Sequence, residues 1–151
     1  MKVLDLFEKL DRLPFGNRIF TFMICMNAPY FFSIKSQVTI LKKNRCEVQV
    51  KKRRSVTNHI KTVHAIAMCN MAELSGGLMI EASLPRDKQW IPSGMTVEYL
   101  KKAETNLTAV SNGSEIDWDQ TGTIVVPVVI NDLNDQTVFK ASINMYVKNK
   151  A

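Results

Sequence analysis

The spacing of hydrophobic residues near the start of the chain predicts helix. Four of them recur at intervals of three and four, which places them on one face of a short amphipathic helix: Val3, Leu6, Phe7 and Leu10. The apolar run over residues 19–32 is interrupted by Asn27 and Pro29 and falls short of the roughly 20 residues that a membrane span needs. Residues 1–31 are therefore expected to form an N-terminal helical extension.

After Pro29 hydrophobic and polar residues alternate, which is typical of strands. "SQVTIL" predicts a strand with Val38 and Ile40 on one face, and after the polar turn "KKNR" the segment "CEVQV" predicts its hairpin partner. Four more alternating segments lie in the second half of the chain, over residues 95–100, 106–110, 123–130 and 139–147. Pro127 falls within the third of these, which indicates an edge strand or a bulge.

Between the hairpin and these four strands, the sequence predicts one long apolar helix from about Ala65 to about Ala82, ending before Pro85. Gly76 and Gly77 lie inside it, although each costs about 1 kcal/mol relative to alanine in a helix. We therefore expect another element to pack very close to these two glycines.

The order of elements is helix, two strands, a long helix and four strands in antiparallel succession. The long helix is apolar nearly all round, so a strongly curved antiparallel sheet wrapped around it would cover it best. At 151 residues, with 46% hydrophobic and 23% charged residues, the chain is expected to form one α+β domain over residues 1–151.

The net charge of +6 is concentrated in two clusters, the first formed by Lys42, Lys43 and Arg45 and the second by residues 51–54. A basic patch can bind an anionic partner. No aromatic residues are interleaved with the clusters, so we predict no nucleic-acid partner. The sequence gives no reason to expect a membrane partner either.

The three cysteines, Cys25, Cys46 and Cys69, form no CxxC pair and are odd in number. This pattern favours reduced thiols over a disulfide framework or a zinc site. We therefore expect a cytoplasmic protein that binds no metal.

The candidate chemistry lies in the stretch "NHIKTVHAIAMCNMAELSGG". A helix that starts just after His64 would present unpaired backbone N–H groups, with a partial positive charge, to a carbonyl oxygen or an oxyanion. Four residues share one face of that helix, at spacings of four, three and four: Ile66, Asn70, Glu73 and Gly77. An ionised carboxylate on a buried helix costs several kcal/mol unless it is compensated, so Glu73 is a candidate functional residue.

Three polar residues of this stretch are Asn58, His64 six positions later and Glu73 nine positions after that. Their spacing resembles the motif of hot-dog-fold acyl-CoA thioesterases of the phenylacetyl-CoA thioesterase type. The later stretch "GMTVEYLKKAETNLTA", with Thr96 and Tyr99, is similar to that family's strand after the helix. The resemblance covers residues 32–151 as a hot-dog core and indicates a poorly characterised branch. The family's histidine is typically followed by two glycines, whereas this chain has "AI" there.

The resemblance implies hydrolysis of an acyl-CoA thioester, with coenzyme A as part of the substrate, no other cofactor and no metal. Glu73 would act as general base or nucleophile, and the N–H groups of Ala65 and Ile66 would polarise the carbonyl. His64 would orient or hydrogen-bond a group in the site rather than take part in the chemical step. Asn58 would position the carbonyl or the attacking water. Asn70, Gly77 and Thr96 would line the substrate site, and Lys101 and Lys102, or the basic clusters, would meet the coenzyme A phosphates. The family's active site lies between two protomers, so a homodimer or a homotetramer built from two dimers is implied.

Three alternatives remain open. His59 lies fourteen residues before Glu73, which resembles the histidine and glutamate of hot-dog-fold 3-hydroxyacyl dehydratases. The missing glycines favour a hot-dog dimer that binds acyl groups or coenzyme A without turnover. Glu73 could also serve structure alone, by pairing with a basic residue across a dimer interface.

Overall fold

The computed structural model describes residues 3–150, and its N-terminal part is helical. Helix α1 (Val3–Asp11) is followed by α2 (Gly16–Asn27) and by a 3₁₀ helix (Pro29–Ile34). The two α-helices pack through Phe7 and Phe20, whose rings meet edge to face with centroids 5.0 Å apart. From residue 3 onward the helical extension thus contains two α-helices, the second built from the apolar run that is too short to span a membrane.

Within the described residues, six antiparallel strands form one sheet: β1 (Gln37–Lys42), β2 (Arg45–Val50), β3 (Lys88–Tyr99), β4 (Leu107–Asn112), β5 (Gly122–Asn131) and β6 (Thr137–Asn149). Their spatial order is β1-β2-β4-β5-β6-β3. The predicted alternation is confirmed in β5 and β6, whose in-phase hydrophobic residues are all buried, from Ile124 to Ile130 and from Phe139 to Val147. Strand β3 pairs with β6 on one side only, so it is an edge of the sheet.

Helix α3 (Ala65–Ser83) lies against the inner face of the sheet and confirms the predicted central helix. The close packing expected at its two glycines is confirmed as well. A Cβ at Gly76 would lie 2.9 Å from Cδ1 of Ile143 in β6, and one at Gly77 would lie 3.1 Å from the Trp90 ring. The predicted α+β hot-dog fold, a curved antiparallel sheet around one long helix, is confirmed.

Two details of the strand predictions are wrong. Val38 is buried, but a bulge between it and Ile40 turns Ile40 outward and gives the next buried position to Leu41. The third strand begins at Lys88 rather than near residue 95, because β6 pairs with it along its whole length through a register shift between Pro92 and Gly94.

Pro127 lies in β5, which is an interior strand rather than an edge strand. The pairing of β5 with β4 ends at Val128 and Ser111, however, so Pro127 lies one residue beyond the last paired position on that side. No N–H of residue 127 is therefore needed for a hydrogen bond to β4, so a proline, which has no N–H, is tolerated there.

None of the helices within residues 3–150 combines the length and the apolar character that crossing a membrane requires. Several apolar side chains of α2 nevertheless face outward, among them Ile19, Phe22 and Met26.

Candidate functional site

The loop before α3 is held by Asn58. Its Oδ1 accepts hydrogen bonds from the N–H groups of Ile60 and Thr62, both at 3.1 Å, and its Nδ2 donates to Oγ1 of Thr62 at 2.8 Å. Both lone pairs of Oδ1 are therefore used inside the loop. His59 and Ile60 are exposed at the tip of this loop.

His64 is the N-cap of α3, and its ring Nδ1 accepts a hydrogen bond from the N–H of Ile66 at 3.1 Å. The prediction that this N–H is free is therefore wrong, because the histidine ring occupies it. The N–H groups of Ala65 and Ala67 have no acceptor within residues 3–150 and keep the helix N-terminus able to bind a carbonyl oxygen. Since Nδ1 accepts, the ring hydrogen of neutral His64 is on Nε2.

A cavity of about 180 Å³ adjoins this helix start and brings together His64, Ile66 and Asn70. Tyr30 and Ser33 of the 3₁₀ helix close its other side. Asn70 is only 5% exposed; its Nδ2 donates to Oγ of Ser33 at 3.1 Å, while its Oδ1 has no partner within the described chain. That oxygen is a buried acceptor that a bound molecule could satisfy.

Glu73 is exposed, so the expectation that its carboxylate is buried on the helix is wrong. Although α3 is apolar, one line of its residues is left uncovered by the sheet, and we call it the outward stripe: Ile66, Cys69, Glu73, Gly77 and Glu81. The carboxylate of Glu73 makes no hydrogen bond or ion pair with residues 3–150.

Glu73 and Gly77 border a second cavity, of about 350 Å³. Its walls are mostly apolar side chains from α1, α2, the 3₁₀ helix, α3 and β3: Val3, Ile24, Phe31, Leu74, Leu78 and Trp90. The Trp90 Nε1–H donates to Glu81 Oε2 at 2.7 Å, and the edge of the indole lies against Gly77. The sequence does not assign Trp90 to the site. The two glycines of α3 indicate that another element packs close to the helix, but not that this element carries Trp90.

The remaining predicted residues line neither cavity. Thr96 is exposed on β3. Lys101 and Lys102 are exposed just beyond β3, and Lys101 Nζ donates to Oε1 of Gln136 at 2.8 Å. Within one chain the structure therefore separates His64, Ile66 and Asn70 from Glu73 and Gly77, and leaves the two lysines outside both groups.

Tyr99, at the end of β3, meets the outward stripe through Cys69, whose Sγ lies 3.5 Å from the phenol oxygen. The hydrogen bond with Cys69, together with some desolvation, raises the pKa of Tyr99 to about 12. At neutral pH this phenol is a hydrogen-bonding group and not a base.

A family described as "Domain of unknown function (DUF4442)" matches residues 16–147. The chain belongs to the DUF4442 family. The match covers α2, the 3₁₀ helix, α3 and the sheet up to near the end of β6. All residues that line the smaller cavity, and all but Val3 of those that line the cavity at Glu73, lie within the matched region. No curated protein matches the chain.

Solved structures similar to this DUF4442 chain include a structural-genomics protein that is 47% identical, with a TM-score of 0.89, covering 98% of this chain and 99% of that one. A thioesterase from Haemophilus influenzae is 14% identical, with a TM-score of 0.73 over 84% of this chain and 87% of its own. A Streptococcus mutans protein bound to acetyl CoA is 19% identical, with a TM-score of 0.65 over 75% and 88%. The last two similarities establish a shared thioesterase-like hot-dog fold.

Proposed function

We propose that this protein is a hydrolase, an acyl-CoA thioesterase that acts as a homodimer with Glu73 as general base or nucleophile. The observation that carries this proposal is Glu73 itself, a carboxylate without a partner in residues 3–150 at the edge of an apolar cavity of about 350 Å³. The thioesterase and acetyl-CoA-bound proteins of the same fold support the substrate class.

The position of Glu73 on α3 requires a second chain. Glu73 lies nine residues after His64, which is roughly 13 Å along a helix that rises about 1.5 Å per residue. Reacting atoms must come within about 3–3.5 Å of each other. A carbonyl held at the N-terminus of α3 is therefore out of reach of Glu73 in the same chain. It comes within reach of Glu73 of the partner subunit if the two α3 helices lie side by side and antiparallel.

The edge of the sheet supports such a dimer. Strand β3 is twelve residues long and exposes Ile91, which is 62% accessible, together with Met95 and Tyr99. A long edge strand with exposed apolar side chains is a template for pairing with another chain. Pairing two β3 strands would bring the two outward stripes together and desolvate both Glu73 side chains, which makes a carboxylate a better base or nucleophile. Two such dimers could form a tetramer.

In the water route, Glu73 takes a proton from water while the water oxygen bonds to the thioester carbonyl carbon. The N–H groups of Ala65 and Ala67 bind the developing oxyanion. The tetrahedral intermediate then breaks its C–S bond, and the proton on Glu73 passes to the coenzyme A sulfur. In the nucleophile route, a Glu73 oxygen bonds to the carbonyl carbon and the C–S bond breaks, which gives an anhydride and coenzyme A thiolate. Water then hydrolyses the anhydride to the acid and the Glu73 carboxylate, and the proton released passes to the thiolate.

The other site residues support this chemistry. His64 fixes the first turn of α3 by capping Ile66, and its Nε2–H faces away from the cap to meet substrate or water. Asn70 offers its unpaired Oδ1 to the bound molecule, and Asn58 acts through the loop that it closes. Lys102 binds the coenzyme A phosphates, and Lys101 joins it once its hydrogen bond to Gln136 is broken.

A second candidate is an acyl-CoA-binding protein without turnover. The Ile66 side chain, 55% exposed, stands at the helix start, where the thioesterase motif that the sequence resembles typically has glycine, and it narrows the approach of a carbonyl. The dehydratase alternative is less well supported, because His59 lies at an exposed loop tip and lines neither cavity.

The test is release of free coenzyme A thiol from short, medium, long and aryl acyl-CoAs by the wild-type protein, Glu73→Gln and a control, Glu115→Gln. Glu115 is an exposed loop carboxylate outside both cavities. We expect turnover that Glu73→Gln abolishes and Glu115→Gln leaves unchanged, with all three proteins folded and of the same size in solution. Binding without turnover by the wild type would favour the second candidate, and hydration of crotonyl-CoA would favour the dehydratase.

A further inference from the structure

A third cavity lies away from Glu73, between α2, the start of β1 and the end of β2. Its volume of about 570 Å³ exceeds that of either cavity along α3 and lies in the range of about 300–1,000 Å³ that is common for small-molecule sites. Part of its wall is apolar, formed by Phe22, Cys25 and Phe32. Phe32 lines this cavity and Phe31 lines the one at Glu73, so the 3₁₀ helix is the wall between them.

The charged residues that line this cavity are all basic: Arg18, Lys35, Lys51 and Arg53. None of them forms an ion pair with the described residues, whereas Arg45 and Arg86 do. A concave surface lined by charge of one sign concentrates counter-ions. The cavity is therefore suited to an anion.

The guanidinium of Arg53 is held ready for such an anion. Its Nη1 donates to the backbone oxygen of Lys51 at 3.2 Å, while Nε and Nη2 are buried and have no acceptor within residues 3–150. Nε and Nη2 form one edge of the guanidinium, the edge that binds a carboxylate or a phosphate through two parallel hydrogen bonds. Ser36 Oγ is also buried without a partner, and Ser36 lines the same cavity.

The cavity is formed by a helix that is fixed in place. Thr21 Oγ1 donates to the backbone oxygen of Asn17 at 2.7 Å and accepts from the N–H of Val38 at 2.9 Å, so it joins α2 to the start of β1. This second bond is buried. The space between α2 and the hairpin is consequently a formed site rather than a gap beside a loosely packed helix.

We propose that this cavity binds a single-chain anionic amphiphile. Its head, a carboxylate or a phosphate monoester, is held by the free edge of Arg53 and by Ser36, and its alkyl chain lies against Phe22 and Phe32. This site does not depend on the thioesterase proposal, because it shares no lining residue with the cavity at Glu73.

The test is calorimetric titration of the full-length protein with dodecanoate, dodecyl phosphate and dodecanol, each below its micelle concentration. If dodecanoate binds more tightly than dodecyl phosphate, the preferred head group is a carboxylate. If dodecyl phosphate binds more tightly, it is a phosphate. Dodecanol should bind at least about tenfold more weakly than the better anion, since it lacks the charged hydrogen bonds. Binding of dodecanol as tight as that of both anions, or no binding of any of the three, would overturn the proposal.

Arg53→Met should weaken binding of the better anion about tenfold or more, while Arg54→Met, at the exposed neighbour that does not line the cavity, should change it less than twofold. Equal effects of the two substitutions would contradict the site. Phe22→Asp serves as a second variant that is expected to fold, because Phe22 is 57% exposed, and its carboxylate should repel the ligand. If Phe22→Asp binds like the wild type, the proposal fails.

A photoreactive dodecanoate with a diazirine near its tail locates the bound chain. Labelling of peptides that contain Phe22, Cys25 or Phe32 is expected, and Arg53→Met should reduce it. Labelling confined to peptides of α3 and of residues 88–90 would instead place the chain in the cavity at Glu73 and refute a separate site.

Discussion

Gly76 and Gly77 are neighbours on α3, yet a methyl group would meet different surroundings at each. At Gly76 the added Cβ would lie 2.9 Å from Cδ1 of Ile143 and 3.4 Å from Cγ1 of Val126, both buried in the sheet. At Gly77 it would lie 3.1 Å from the ring edge of Trp90, which is only half-buried and has room to shift. Replacing each glycine in turn by alanine therefore measures how closely the sheet approaches the helix.

The helix propensity gained is about 1 kcal/mol at either position, so it cancels when the two variants are compared. Overpacking a buried contact costs about 1–3 kcal/mol. We therefore expect Gly76→Ala to be about 1–3 kcal/mol less stable than Gly77→Ala. The latter should lie between wild-type stability and about 1 kcal/mol above it, because the Trp90 ring can yield.

Urea unfolding followed by circular dichroism checks this difference, with all proteins at one concentration because association would shift the apparent stability. The slope of the free energy against urea should be the same for the three proteins. If Gly76→Ala were as stable as Gly77→Ala, or more so, the close approach of β6 to α3 would be refuted.

Two further predictions concern hydrogen bonds of single residues. His64→Ala removes the N-cap of α3 and should cost about 1 kcal/mol in urea unfolding, whereas His64→Asn, which retains an acceptor, should recover most of it; equal losses would show that the cap contributes nothing. The Cys69 contact holds the pKa of Tyr99 at about 12, so the stability that the neutral phenol contributes is present below pH of about 10 and lost as pH rises through about 12. The phenolate absorbance of wild type minus Tyr99→Phe should show this midpoint, and Cys69→Ala should lower it towards 10; identical midpoints with and without Cys69 would contradict the assignment.

Local pattern was sufficient to predict some elements and not others. Helix α3 could be predicted because its cap residue His64, its apolar length and Pro85 all lie in one stretch of sequence. The first half of β3 could not, because Pro92 and Gly94 break local strand propensity and only pairing with the distant β6 extends the strand through them. The bulge that turns Ile40 outward likewise depends on register with the partner strand.

The candidate site, like the fold, can be predicted only in part from local sequence. Periodicity places Asn70 and Glu73 near each other on the helix, but a helix that is apolar nearly all round does not reveal which line of residues the sheet leaves uncovered. That line contains Cys69 and Glu73, whereas Asn70 is buried. The exposure of Glu73 is thus a property of the packed fold. Trp90 and the free edge of Arg53 are placed by contacts between segments far apart in the chain, so no local spacing indicates them.

The central claim is that hydrolysis takes place at a site shared by two chains. Two variants test it, Glu73→Gln and Ala65→Pro, the second of which removes one N–H from the start of α3. Proline is well tolerated at a first helical position, and His64 before it already has the extended backbone that proline requires (φ −63°, ψ 140°). Loss of one oxyanion donor typically lowers the rate about 100- to 1,000-fold.

Each variant alone should be nearly inactive in thiol release. A heterodimer of the two, isolated with a different affinity tag on each chain, carries both defects in one site and neither defect in the other. If the site is shared as proposed, the heterodimer recovers about half of the wild-type activity. Heterodimer activity no higher than that of the two parent variants would contradict a site built from the α3 N-terminus of one chain and Glu73 of its partner.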